Sequence, residues 1–241
     1  MAMQVSQRSA RMDRAYDRAS EAYGPYGGST TLGERFTAAG VYDKLGLLVL
    51  LGLATGAVGY ATASPGLLIL GLLSGLVLHL VGIFRPATAK VVAPLYALAE
   101  GLALGSLTAL YATGSNGVAP LAIVFTAGIF LGALVVFRSG LIKVTPRFVS
   151  MTIMAGFGFL LAILGSWLGL FPGLSSASGM LVFGLIGVVI GVMYLFIDFN
   201  YVQVGEDRGL PVEAEWFGAF IILTSLVFVY INVLRALGRR R

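Results

Sequence analysis

The sequence predicts an all-α polytopic membrane protein with seven transmembrane helices. Three observations carry the prediction. Of the 241 residues, 58% are hydrophobic and only 11% charged, where a soluble domain carries about 25% charged residues. Mean hydropathy is +0.92. The apolar residues fall into seven runs of 19 to 24 residues, the length that crosses a hydrocarbon core of ~30 Å at ~1.5 Å per residue. Spanning strands would need only ~10 residues of alternating polarity, and these runs do not alternate.

Residues 1–44 form a polar, mixed-charge tail. Arg8, Arg11, Arg14 and Arg18 recur at helical spacing, as in a short surface helix, and Tyr23–Thr31 is turn-rich. The tail shows no short apolar core followed by a small-residue cleavage site, so the first long run is expected to serve as the targeting signal. The runs are Leu45–Ala63, Gly66–Phe84, Val91–Thr113, Val118–Phe137, Phe148–Leu170, Gly179–Val202 and Trp216–Leu237, which make residues 45–237 the transmembrane domain. Residues 238–241 are a basic C-terminal tail.

Lys and Arg orient the chain. The tail holds six, the second linker Arg85 and Lys90, the fourth Arg138, Lys143 and Arg147, and the sixth Arg208. The first, third and fifth linkers hold none. This alternation predicts a cytoplasmic N-terminus. The cluster Arg235, Arg239, Arg240 and Arg241 runs against it. Either the last run is re-entrant, or the earlier loops outweigh it.

Cysteine is absent, which excludes disulfides and thiolate metal sites. The net charge of +5 lies beside apolar runs and reads as topology rather than as a nucleic-acid footprint. Small residues recur at four-residue spacing in Gly52/Gly56, Gly71/Gly75, Gly101/Gly105, Gly128/Gly132, Gly165/Gly169 and Gly187/Gly191. Such pairs let helix backbones approach closely in lipid.

The polar inventory of the runs is short. A helix through the sixth run stacks Gly187, Gly191, Tyr194 and Asp198 on one face. An ionisable group on a packed membrane face is costly and points to function. Asp198 stands about five residues from Gln203, near the cytoplasmic end, and Arg85 closes the second run on that side. The two could form a gate or a structural ion pair. Glu100 lies ~15 Å beyond Lys90, near the midplane, and is expected to be neutral, paired or beside water; locking helices together and carrying a proton are both open roles. His79 is the only histidine, either a packing residue or a proton relay. Asn200, Ser225 and Asn232 are further polar candidates for a pore, and Glu215 opens the last run.

Enzyme templates fail. No second histidine completes a zinc protease motif, no base adjoins a serine nucleophile, and no second aspartate inside the runs could face Asp198. The expectation is a non-enzyme without a cofactor.

The segment YLFIDFNYV (Tyr194–Val202), with Y-x-x-x-D-x-N, resembles the Bax inhibitor-1 (transmembrane Bax inhibitor motif) family. LYALAEGLALGS around Glu100 and the VYINVLR ending of the last run support that resemblance, and the EAEWFGAF start of the last run resembles the actinobacterial-type branch. The resemblance covers about residues 40–238. It implies seven helices around a central sixth, in a bacterial cell membrane. It also implies a pH-sensitive calcium leak gated by two apposed carboxylates in the last two spans and an arginine ending the second. Asp198 matches the first carboxylate and Arg85 the arginine. Aligned on the VYINVLR ending, Ser225 stands in place of the second acid, so the sensor would pair Asp198 with Arg85, Glu100 or Glu215. Asp198 is also the implied calcium ligand, supplying two of the ~6–8 oxygens calcium takes. The partners expected are the bilayer and calcium or other cations, with no nucleic acid and no identified protein partner. Two other functions fit the same residues: a proton-coupled secondary transporter using Glu100, and a non-transporting stress or quality-control partner protein acting through its tail.

Overall fold

The computed structural model describes residues 35–112, 117–171, 173 and 176–237. The expected N-terminal surface helix, the turn-rich stretch, Thr113 and the basic C-terminal tail lie outside the described residues. Seven helices carry the fold: α1 (Ala38–Thr62), α2 (Pro65–Phe84), α3 (Ala89–Tyr111), α4 (Val118–Arg138), α5 (Pro146–Trp167), α6 (Ala177–Asp207) and α7 (Ala214–Leu237). All seven are long and apolar enough to cross a membrane. A 3-10 turn, Pro86–Thr88, joins α2 to α3.

Local chemistry sets several helix starts. Thr37, Ser64, Thr145 and Ser176 are extended N-caps whose hydroxyls accept from the third residue onward, satisfying amide groups that a helix start leaves open. Pro65 and Pro146 occupy the first helical positions of α2 and α5, where a missing N–H costs nothing. Gly169, at φ +76°, takes the left-handed conformation just after α5.

Two boundaries differ from the hydropathy reading by five residues or more. α1 begins at Ala38 rather than Leu45, because Glu215 and Glu206 accept from the Thr37 and Ala38 amides and cap a helix that runs through polar residues. α6 runs on to Asp207, five residues past its apolar stretch. At 31 residues it measures about 46 Å, longer than a ~30 Å hydrocarbon core.

Burial ranks the helices. In the most apolar stretch of α3 and of α7, 61% of residues are buried, against 33% in α6 and 17% in each of the others. α7 packs on α6, α1, α3 and α4. α6 runs along α7 and carries α5 on its outer side. The outward faces are apolar, as at Leu70, Phe84, Val124 and Met154, the surface a lipid-facing bundle presents. The chain is a multi-pass membrane protein.

Glycine sets the closest approaches. A Cβ on Gly101 would meet the Gly52 carbonyl and Thr55 hydroxyl, and one on Gly105 would meet the Gly56 carbonyl. These contacts seat α3 against α1. Gly71 faces Ala99 and Ala103, seating α2 on α3. Gly187 faces the Asn232 side chain, and Gly191 faces Val229 and Phe228, seating α6 on α7. Two of the six predicted pairs do not pack helix on helix. A Cβ on Gly128 or Gly132 would meet nothing, because both face outward on α4. Gly165 meets Phe171 just past the end of its own helix.

Candidate functional site

The site is the seam where α6 and α7 run antiparallel. The small residues of α6 let α7 approach, and one turn after another of α7 answers them. Gly187 lies against Asn232, whose Nδ2 donates to the Phe228 carbonyl at 2.8 Å and whose Oδ1 accepts from Arg235 Nη1 at 2.9 Å. Toward the other end of the seam stands Asp198, buried at 7% exposure. Ser225 Oγ donates to Asp198 Oδ2 at 2.5 Å, and Ser225 is itself buried. The residue that aligns with the expected second acid therefore touches Asp198 through a hydroxyl.

Asp198 does not stand at the end of its helix. α6 continues nine residues beyond it, about 14 Å. Ser225 lies eleven residues into α7, about 16 Å from its start. Arg85 is an exposed residue at the end of α2, where its carbonyl accepts from Thr88 N at 2.9 Å. No ion pair joins Arg85 to Asp198. The expected partnership is corrected by depth: Arg85 sits at the helix end and Asp198 well inside the bundle.

Glu215 does not meet Asp198 either. It is 2% exposed and ion-pairs with Lys44 Nζ at 2.5 Å. It also accepts from Thr37 N at 2.8 Å and Thr37 Oγ1 at 3.1 Å. Glu206 Oε1 accepts from Ala38 N at 3.0 Å, and Phe36 N donates to the Leu210 carbonyl at 2.9 Å. Two carboxylates thus close the N-terminus of α1, where the helix dipole favours negative charge. Glu215 occupies the first turn of α7 as well, so one side chain serves the starts of two helices. Sequence separation hid this role: Lys44 and Glu215 are 171 residues apart.

Glu100 belongs to a second polar seam. Its carboxylate lies where a Cβ on Gly75 of α2 would stand. One turn along each helix, the rings of His79 and Tyr96 lie 6.1 Å apart, and Phe220 of α7 is 6.0 Å from His79 and 5.2 Å from Tyr96. The His79 Nδ1 atom is buried without a hydrogen-bond partner. α7 separates this seam from the Asp198 seam, so Glu100 does not supply the second carboxylate.

The remaining candidates divide. Tyr194 turns toward α5, its hydroxyl lying against Gly156 and its ring edge-on to Phe228 at 6.2 Å. Asn200 is half-buried on α6. Asn232 holds Arg235, which lies over the stacked rings of Phe159 and Phe183 at 6.0 and 5.4 Å. Among the described residues no group of three or more His, Cys, Asp or Glu side chains could hold a metal.

The family model described as Bax inhibitor 1 like matches residues 3–241. The chain belongs to the Bax inhibitor 1 like family. The match extends to both ends of the chain, so the sequence resemblance, which left out the tail, understated its extent. No curated protein matches the chain. Within this family membership, the α6–α7 seam places Ser225 against Asp198, the residue that matched the family's first carboxylate.

Proposed function

We propose that this Bax inhibitor 1 like membrane protein is a pH-sensitive leak for calcium or other cations, working without cofactor or enzymatic step. The observation that carries the reading is Asp198, a carboxylate buried about 14 Å inside the α6 end, with one hydroxyl as its hydrogen-bond partner. A charge in such a place is costly unless paired. A cation in the seam would offset the ionised carboxylate, and protonation would remove that attraction. The gate is then a carboxylate–hydroxyl pair across α6 and α7, with Arg85 outside it at the surface.

The basic residues of α1, α3 and the α2–α3, α4–α5 and α6–α7 connections gather at one end of the bundle. We place that end in the cytoplasm of a bacterial cell.

The experiment is calcium and monovalent-cation flux into proteoliposomes between about pH 6 and 8. Wild type should leak with a pH dependence, Asp198→Asn should lose that dependence, and Ser225→Asp should move it by adding a second acid. A wild-type protein as tight as empty vesicles throughout would sink the reading.

A further inference from the structure

A cavity of about 710 Å³ runs between α1 and α4, floored by α3 and α7. Its lining extends from Tyr42 to Tyr60 on α1. Those eighteen helical steps cover about 27 Å, nearly the full hydrocarbon thickness. Its rims are lipid-exposed: Leu53 on α1 is 47% exposed and Ile123 on α4 is 44% exposed. Extensive packing of α1 on α4 is absent, so the trough opens sideways. The floor is small and apolar, with Ala97, Gly101 and Gly105 beside Leu223 and Val227. Glu100 borders the trough, but its carboxylate reaches away toward Gly75, leaving hydrocarbon on this wall. At the basic end, Arg138 of α4 stands beside the Tyr42 hydroxyl. Glu206 also acts on Tyr42 there, while accepting from Ala38 N.

We propose that the α1–α4 trough is a phospholipid site, holding one acyl chain along its length with the lipid phosphate at Arg138. Length, sideways opening and apolar walls select a chain from the bilayer. A cation at one mouth selects an anionic head and fixes the direction of entry. Drug-sized ligands fill sites of comparable volume, and the hydrophobic gain rises with each methylene buried. The bound chain would hold α1 and α4 apart over α3 and α7, against the back of α7 rather than at the Asp198 seam. The inference therefore does not depend on the leak reading.

Gly46 lines the trough one turn from Tyr42, and a Cβ there would meet nothing within 4 Å, so Gly46→Phe obstructs the trough near its Arg138 end without displacing the backbone. Gly128, equally open but outside the lining, gives the control Gly128→Phe. The full chain is reconstituted in phosphatidylcholine vesicles containing traces of phosphatidylglycerol with a photoactivatable acyl chain, and label is mapped by peptide mass spectrometry. The expected result is label concentrated on trough residues, reduced roughly tenfold by Gly46→Phe and unchanged by Gly128→Phe. Arg138→Gln should lower labelling by phosphatidylglycerol but not by a diacylglycerol bearing the same chain. Label spread evenly over the outer faces of α2 and α5, or equal label in wild type and Gly46→Phe, would overturn the proposal in favour of ordinary annular lipid. Cross-linking of the trough to a second copy would overturn it as well, and insensitivity to Arg138→Gln would remove the phosphate assignment.

Discussion

Ser225 donates its hydroxyl to Asp198 at 2.5 Å across the α6–α7 seam, and both side chains are buried. The hydroxyl partly replaces the water that the carboxylate loses on burial. Ser225→Ala would leave the carboxylate without its hydrogen-bond donor, which costs about 1–3 kcal/mol. Thermal unfolding in detergent should show that loss, and Asp198→Asn combined with Ser225→Ala should recover part of it. Additive losses in the double variant would mean that the two side chains do not act as a pair.

Glu215 should matter to stability and not to flux. Removing it leaves Lys44 without its carboxylate and opens the Thr37 amide, since both contacts end on Glu215. Lys44 retains 21% exposure, so the loss should fall near the lower end of the ~3–5 kcal/mol seen when a buried pair is broken. Glu215→Gln should cost less than Glu215→Ala, because an amide oxygen can still accept from Thr37. Hydrogen exchange should speed up at Thr37 and in the first turn of α1. A changed pH profile of cation flux, with α1 protection intact, would return Glu215 to the gate.

The spans were legible because a bilayer imposes one rule on every residue: twenty apolar positions or no crossing. The importance of Asp198 was legible for the same reason, as a lone acid on a glycine face. Its partner was not: the family motif put Ser225 in the place of a second acid, and the pairing expected was with Arg85, Glu100 or Glu215 rather than with the Ser225 hydroxyl. What stayed hidden depended on distance in sequence or on polar helix. Hydropathy stops at Val202, but Gln203–Asp207 continue α6 in helical register. The latch of Glu215 on Thr37 and Lys44 joins the two ends of the domain, and no local pattern announces it. Glycine spacing marked both packed and outward-facing pairs, since Gly128 and Gly132 share the periodicity of Gly101 and Gly105 without facing a neighbour.

That last contrast is itself testable. Gly105→Leu would drive a side chain into the Gly56 backbone, where neither helix can yield without parting α1 from α3. Most of the protein should fail to reach the monodisperse folded state. Gly132→Leu, with open space around its Cβ, should stay within ~1 kcal/mol of wild type. Fluorescence-detected size exclusion of the two variants decides it. A well-folded Gly105→Leu protein would mean that the α1–α3 contact is looser than the glycine geometry requires.

His79 separates packing from proton relay. Its ring is wedged between Tyr96 and Phe220, and its buried Nδ1 has no hydrogen-bond partner. A packing role predicts that His79→Phe keeps the aromatic contacts while removing an unsatisfied polar atom, whose burial costs about 1–3 kcal/mol. The variant should therefore unfold at the same temperature as wild type or higher, with an unaltered pH dependence of flux. A relay role predicts that the pH dependence is lost while stability is kept, so the pH profile discriminates the two. A fall in stability would carry a third meaning: the nitrogen meets a partner such as bound water, linking it to the Glu100 carboxylate one turn away. His79→Phe in a Glu100→Gln background tests that link, because two groups joined through such a contact should lose less together than the sum of their separate losses.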